Sequence, residues 1–476
     1  LQLPATLTLN AFTGDPIEVA GKLSTDANRW GARSSTLTQQ KPLAPPEAAS
    51  PADWTSDKIG WGVVLPDDDT VSAADKALAK DAPEPVQRLV QARGNAPVLR
   101  YREDLGTRKL ARYFEDGSRQ DPEIGLSMFG TARGRLPLYL LIVASPTWVP
   151  WSLQFSLNRR HHVGRLDLSP EGLANYVDAL LTDWSATPPT AQSAVVWSVS
   201  FDSITQMMDA TIANRIHQRL TEDTEMSVIR TTGDAATGAH LIDDLEQKTP
   251  AVVVTSSHGK TGPLEDSDAM RRDLGLPVDV NRDTLDVEEL VSRWNPSGAI
   301  WYAQACCSAG SDDGTSYDGL LDPDTLAAQV VAAVGNLGAQ VAPLPARLLG
   351  APEPLRAFIG HVEPTFDWTL RATDTGQELT GPLVTAISPN LYRRCPLGLA
   401  MDSHYRGVGD LYGKVNDALK GINSQVAGAR ETATYYRLTA TDRESIVILG
   451  DPTVALPPLP SQISEGVLPK DCDPDL

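Results

Sequence analysis

Ala251-Val252-Val253-Val254-Thr255-Ser256-Ser257-His258-Gly259 is a short apolar run that closes on small polar residues, a histidine and a glycine. Ala299-Ile300-Trp301-Tyr302-Ala303-Gln304-Ala305-Cys306-Cys307-Ser308-Ala309-Gly310 repeats that plan with cysteine in the histidine's place. Apolar runs of this length, bounded by turn residues, read as strands buried on both faces. Each delivers a reactive side chain at its carboxyl end.

Working outward, strands and helices alternate. A strand is predicted over 194–199, a helix over 209–220, a strand over 226–230 and a helix over 239–248. The strand ending at His258, a helix over 286–294, the strand ending at Cys306 and a helix over 324–334 follow. This rhythm predicts an α/β fold, a mostly parallel sheet with helices on both faces. Ligands of such sheets bind beyond the carboxyl ends of the strands, where His258 and Cys306 fall.

A smaller α/β unit precedes this region, with a strand over 139–144 and an amphipathic helix over 170–184 that carries Leu173, Tyr176, Val177, Leu180 and Leu181 at helical spacing. The chain thus divides into an extended Pro/Gly/Ala-rich segment (1–94), a first α/β subdomain (95–188), a main domain (189–455) and a disordered tail (456–476). The first segment includes Lys41-Pro42-Leu43-Ala44-Pro45-Pro46 and two short helices near 73–79 and 85–92. Gly and Pro punctuate 345–410, a helix is predicted over 409–430, and 445–450 reads as a last strand.

The formal net charge of -20 over 476 residues argues against nucleic acid and anionic membranes as partners, because an acidic field repels both. Arg159, Arg160, His161, His162 and Arg165 form the one basic cluster of note, read as a solvated loop beside a strand. No apolar run approaches the length of a membrane span. The first residue is Leu1 and no charged-then-apolar leader follows, so the chain reads as trimmed or mature. A cytoplasmic location is expected, with a secreted mature form left open.

Four cysteines, Cys306, Cys307, Cys395 and Cys472, are too sparse for a disulfide scaffold, and free thiols in a reducing compartment are expected. The adjacent pair is poorly placed to bond to itself. No Cys/His spacing resembles a metal site, so neither metal nor cofactor is expected. Lys260-Thr261 imitates the end of a P-loop, but Val254 stands where that loop needs glycine. Ser308 lacks the glycine frame of a nucleophile elbow.

A cysteine nucleophile with a histidine base remains. His258 precedes Cys306 by 48 positions, and caspases pair a Gln-Ala-Cys segment with a histidine roughly 50 residues upstream. The imidazole takes the thiol proton and later returns it to the leaving amine. Gly259 leaves its N–H unobstructed, and with the N–H of Cys306 it would form an oxyanion hole. The opposing reading is inert packing, since a buried Cys or a strand-end His is most often structural.

These segments resemble the clan CD cysteine peptidases, the caspase-hemoglobinase fold of caspases, metacaspases, legumain, separase, gingipains and CHAT proteins. The likeness is greatest to the gingipain-like branch, through His258-Gly259, Ala305-Cys306, Leu140-Leu141-Ile142-Val143-Ala144-Ser145-Pro146, Val163-Gly164-Arg165-Leu166 and Leu449-Gly450-Asp451-Pro452. It implies a three-layer αβα sandwich with a mostly parallel central sheet. It also implies an endopeptidase acting on protein or peptide substrates without a cofactor. The Cys-x-x-Gly spacing of metacaspases and legumain would select Cys307 with Gly310, whereas Ala-Cys at the strand end selects Cys306; Cys306 is preferred here.

In this clan the pocket for the residue before the cut sets specificity. Gln304 is neutral where relatives carry an acid; Asp312 and Asp313 would attract Arg or Lys, which is the expectation here, whereas a pocket Arg from elsewhere would select Asp. A further reading is latency, in which the Pro-rich leader or a bound partner blocks the cleft until an activating signal arrives; the resemblance to caspase-like proteases of bacterial defence modules implies the partner-gated form. A catalytically inactive scaffold or binding module is the alternative.

Overall fold

The computed structural model describes residues 3–33, 49–372, 375–467 and 472; Lys41 to Pro46 lie outside them. Twelve strands form the main sheet among the described residues. In chain order they are β1 (Trp61–Pro66), β2 (Val98–Tyr101), β3 (Ala111–Tyr113), β4 (Arg119–Gln120), β5 (Tyr139–Val143), β6 (His162–Leu166), β7 (Thr190–Ser198), β8 (Ser227–Thr231), β9 (Pro250–Ser256), β10 (Ile300–Gln304), β11 (Ala357–His361) and β12 (Ile446–Gly450). Their spatial order is β8-β7-β9-β10-β11-β12-β6-β5-β1-β2-β3-β4.

Two parallel blocks of five strands make up most of this sheet, and β3 and β4 extend its far edge antiparallel. β8, β7, β9, β10 and β11 run together. β12, β6, β5, β1 and β2 form the second block, and the blocks meet where β11 pairs antiparallel with β12. Every residue of β9, β10, β11 and β12 is buried. Neighbours along a strand point to opposite faces, so both faces are covered and the molecule is an αβα sandwich.

Several elements differ from the sequence-based expectations. Trp61–Pro66 is a strand of the main sheet. In place of one helix over 409–430 there are two, Asp402–Asn423 and Ala429–Glu444. Gly428, at φ +75°, makes the turn between them, a conformation glycine adopts without steric cost. The basic cluster is not a solvated loop: His161, His162 and Arg165 are buried, and Arg159 pairs with Glu444 at 3.0 Å.

The tail carries a helix, Pro460–Glu465, while 468–471 and 473–476 lie outside the described residues. Cys472 is bonded to Cys395, with Cα atoms 5.1 Å apart, which corrects the expectation of four free thiols. The bridge ties the chain end to the loop before Leu397–Ala400. Cys306 and Cys307 are free and buried.

Near the chain start, Thr6–Thr8 pairs antiparallel with Ala20–Lys22. Ala11–Phe12 pairs parallel with Gly259–Lys260, the short strand that continues past His258.

Candidate active site

β9 and β10 pair in parallel up to Ser256 opposite Gln304, and the Ser257 N–H donates to the Gln304 carbonyl at 3.2 Å. His258 and Cys306 each lie two residues past that last pair. Adjacent strands are about 4.8 Å apart, so the two segments leave the sheet side by side. At this point the backbones nearly touch: a Cβ on Gly259 would stand 1.9 Å from the Cys306 carbonyl oxygen. No side chain fits there, which explains the glycine after the histidine.

His258 is held from the neighbouring strand's side. The loop after β7 brings Asp202 to the imidazole, with Nε2 and Oδ2 2.6 Å apart. The other oxygen of Asp202 accepts from the Thr205 N–H at 3.0 Å and the Thr205 hydroxyl at 2.6 Å, capping the helix Ser203–Met208. Burial works to raise the Asp202 carboxyl, but the hydrogen bond and charge of His258 and the bonds from Thr205 outweigh it and hold it at about 2. An ionised Asp202 accepts a proton-bearing Nε2 and leaves Nδ1 as the nitrogen with a free lone pair. His258 Nδ1 is indeed buried without a hydrogen-bond partner.

The His258 ring packs on Phe201, with centroids 5.4 Å apart, and the Arg282 guanidinium lies over the Phe201 ring, 3.8 Å from its centroid. Together they line a cleft of about 280 Å³ that also carries the carboxylates of Asp15, Glu18 and Asp202.

Cys306 lies beneath that surface with no exposed area. Its sulfur accepts from the Thr365 N–H at 3.1 Å, and burial pushes the thiol up to about 12. Cys307, at φ +55°, is equally buried; burial raises its thiol too, and its N–H donates to the Glu363 carbonyl at 3.1 Å. The structure therefore brings His258, Gly259 and the Cys306 backbone together, while the Cys306 thiol is hydrogen-bonded toward Thr365. The Gly259 N–H points at the Asn10 carbonyl, 3.5 Å away.

Gln304 is turned inward, accepting from the Tyr302 hydroxyl and lying 3.2 Å from His361 Nε2. Asp312 is half-buried and Asp313 exposed, and neither lines the cleft at His258. Among the described residues no group of three or more His, Cys, Asp or Glu could hold a metal, and no helix is long and apolar enough to cross a membrane.

Sequence reasoning left the carboxylate beside His258 unassigned. The available signal was Asp202-Ser203-Ile204-Thr205 after a predicted strand, a helix-capping pattern that marks a strand-to-helix turn at the sheet's carboxyl edge. Thr365 meets the sulfur through its N–H and its hydroxyl but carried no signal, because nothing in the sequence records its proximity to Cys306.

No protein-family model matches the chain, and no curated protein matches its sequence. Among solved structures, the complex of Porphyromonas gingivalis RgpB pro- and mature domains superposes with a TM-score of 0.37 at 10% identity, over 84% of this chain and 80% of that one. Saccharomyces cerevisiae separase, solved in complex with securin, superposes with a TM-score of 0.31 at 12% identity, over 70% of this chain and 16% of that one. Likenesses this distant say nothing about activity, which rests on the site itself.

Proposed function

We propose that the chain is a caspase-like cysteine endopeptidase in which Cys306 is the nucleophile and His258 the general base. One observation carries this reading. The β9/β10 register sets His258 and Cys306 side by side at the sheet's carboxyl edge, with Asp202 on Nε2 and Nδ1 unpartnered. The thiol proton passes to Nδ1 as sulfur bonds to the scissile carbonyl carbon. The imidazolium then gives its proton to the leaving amine as the C–N bond breaks, and water hydrolyses the thioester. The N–H groups of Gly259 and Cys306 hold the oxyanion, and Asp202 positions the ring and balances its charge.

A basic residue before the cut suits the site. Asp15, Glu18 and Asp202 outnumber the cation of Arg282 in the cleft beside His258; Asp312 and Asp313 lie outside it. Substrates are proteins or peptides. The Cys395–Cys472 bridge supports an oxidising compartment, which favours the secreted form over a cytoplasmic one.

A second reading, a scaffold with a silent site, is favoured by the fully covered thiol and its raised pKa. Peptide cleavage by the wild type, Cys306→Ala and Cys307→Ala, tested with and without a candidate activator, separates the two. The enzyme reading expects cleavage lost in Cys306→Ala and kept in Cys307→Ala. Cleavage that survives Cys306→Ala would overturn it.

A further inference from the structure

What covers the thiol is the segment 7–12. Leu7, Leu9, Asn10, Ala11 and Phe12 are all buried, and Leu7, Leu9 and Ala11 belong to the same apolar cluster as Cys306 and Cys307. Between them, Asn10 lies across the site. Its N–H donates to the Thr365 carbonyl at 3.0 Å, and its carbonyl faces the Gly259 N–H at 3.5 Å. Its side-chain Nδ2 donates to the Ser257 carbonyl at 3.0 Å. Leu9 bridges antiparallel to Phe366, and Ala11 and Phe12 pair with Gly259 and Lys260. The segment is thus an extended strand pinned by main-chain bonds to both walls of a trough whose floor is Cys306.

These are the contacts that an extended peptide makes when it adds to exposed strand edges. The carbonyl of Asn10 takes the N–H that the peptidase reading gives to a substrate oxyanion, and the Asn10 and Thr365 amides face the sulfur. The fit is incomplete, since Asn10 Oδ1 is buried without a partner. A strand with an unsatisfied buried acceptor gains water on leaving, so it is held less tightly than its area suggests.

We propose that residues 7–12 are an internal plug seated where an extended peptide substrate lies, so that the protein is latent until this strand is displaced. The trough between Gly259–Lys260 and Thr365–Phe366 is then the substrate-binding surface, read through main-chain hydrogen bonds. This rests on the peptidase reading for its meaning, but the covering of Cys306 is testable apart from it.

The test is the alkylation rate of Cys306 by iodoacetamide, followed by peptide mass mapping, in the wild type and in Leu9→Asp. Leu9 is fully buried beside the thiol, so a charge there expels the strand. Labelling of Cys306 should rise at least tenfold in Leu9→Asp, and a synthetic peptide of the sequence of residues 7–12 added in trans should slow it again. Equal rates in a folded Leu9→Asp would overturn the plug, as would acceleration that the peptide does not reverse. If Leu9→Asp fails to fold, Asn10→Gly removes the Ser257 bond at lower cost, and the same two outcomes apply to it. Fast labelling with no cleavage of any peptide would leave the plug standing and remove the peptidase reading.

Discussion

Asp202 serves two masters with one carboxylate, one oxygen on His258 and the other on the first turn of Ser203–Met208. On the peptidase reading proposed above, Asp202→Asn should lower kcat of the Leu9→Asp protein about 100-fold or more with KM little changed, because the ring loses its fixed tautomer while the proposed trough is untouched. Equal losses in Asp202→Glu and Asp202→Ala, or a change confined to KM, would count against the positioning role. Gly259→Ala should cost about 2–3 kcal/mol of stability, since its Cβ meets the Cys306 carbonyl at 1.9 Å; an unchanged unfolding midpoint would refute the close approach. At this scale His258, Gly259 and Cys306 were legible because reactive residue types stood at the ends of apolar runs. Asp202 and Asn10 were not, because each reaches the site across the fold, where no period in the sequence records proximity.

Among the elements, the strands flanking the site were readable from uninterrupted apolar runs, β9 and β10 above all. Ala429–Glu444 was not, since its buried face mixes Thr434, Thr439, Thr441 and Asp442 with Ala433, Tyr435 and Leu438, which blurs the apolar stripe. The Cys395–Cys472 bridge was equally hidden, with 77 positions between its ends and no framework of further cysteines to suggest it. Breaking it by Cys472→Ser should cost about 2–4 kcal/mol, because the open chain regains the freedom of a long loop. The check is thermal unfolding of wild type and variant, with and without reductant. A midpoint that ignores both the substitution and the reductant would contradict the bridge.

Across the whole molecule, one sheet runs from β8 to β4 through both predicted α/β units. The antiparallel join of β11 and β12 could not be read, because a buried apolar run looks the same in either direction. Burial also sets an expected pH response. It raises Asp442 and Glu363 to about 7, above their unfolded values, so their contribution is full in acid and lost as pH rises through 7. It lowers His161, His162 and His404 to about 4 and His361 to about 3, so theirs is full above the ordinary histidine value of about 6.5 and lost as pH falls toward 4. Stability should peak near pH 6.5, between the two limbs. Asp442→Asn, which keeps an acceptor for the Phe366 N–H, should flatten the alkaline limb; a midpoint still climbing at pH 8 would contradict this.

The central claim is that Cys306 cuts peptides once the strand over it is gone. It is tested most directly by incubating Leu9→Asp, alone and combined with Cys306→Ala or Cys307→Ala, with a peptide library varied at the residue before the cut. The account predicts cleavage by Leu9→Asp, retained with Cys307→Ala, abolished with Cys306→Ala, and strongest after Arg or Lys. A Leu9→Asp protein whose Cys306 alkylates rapidly but which cuts no peptide in the library would contradict it.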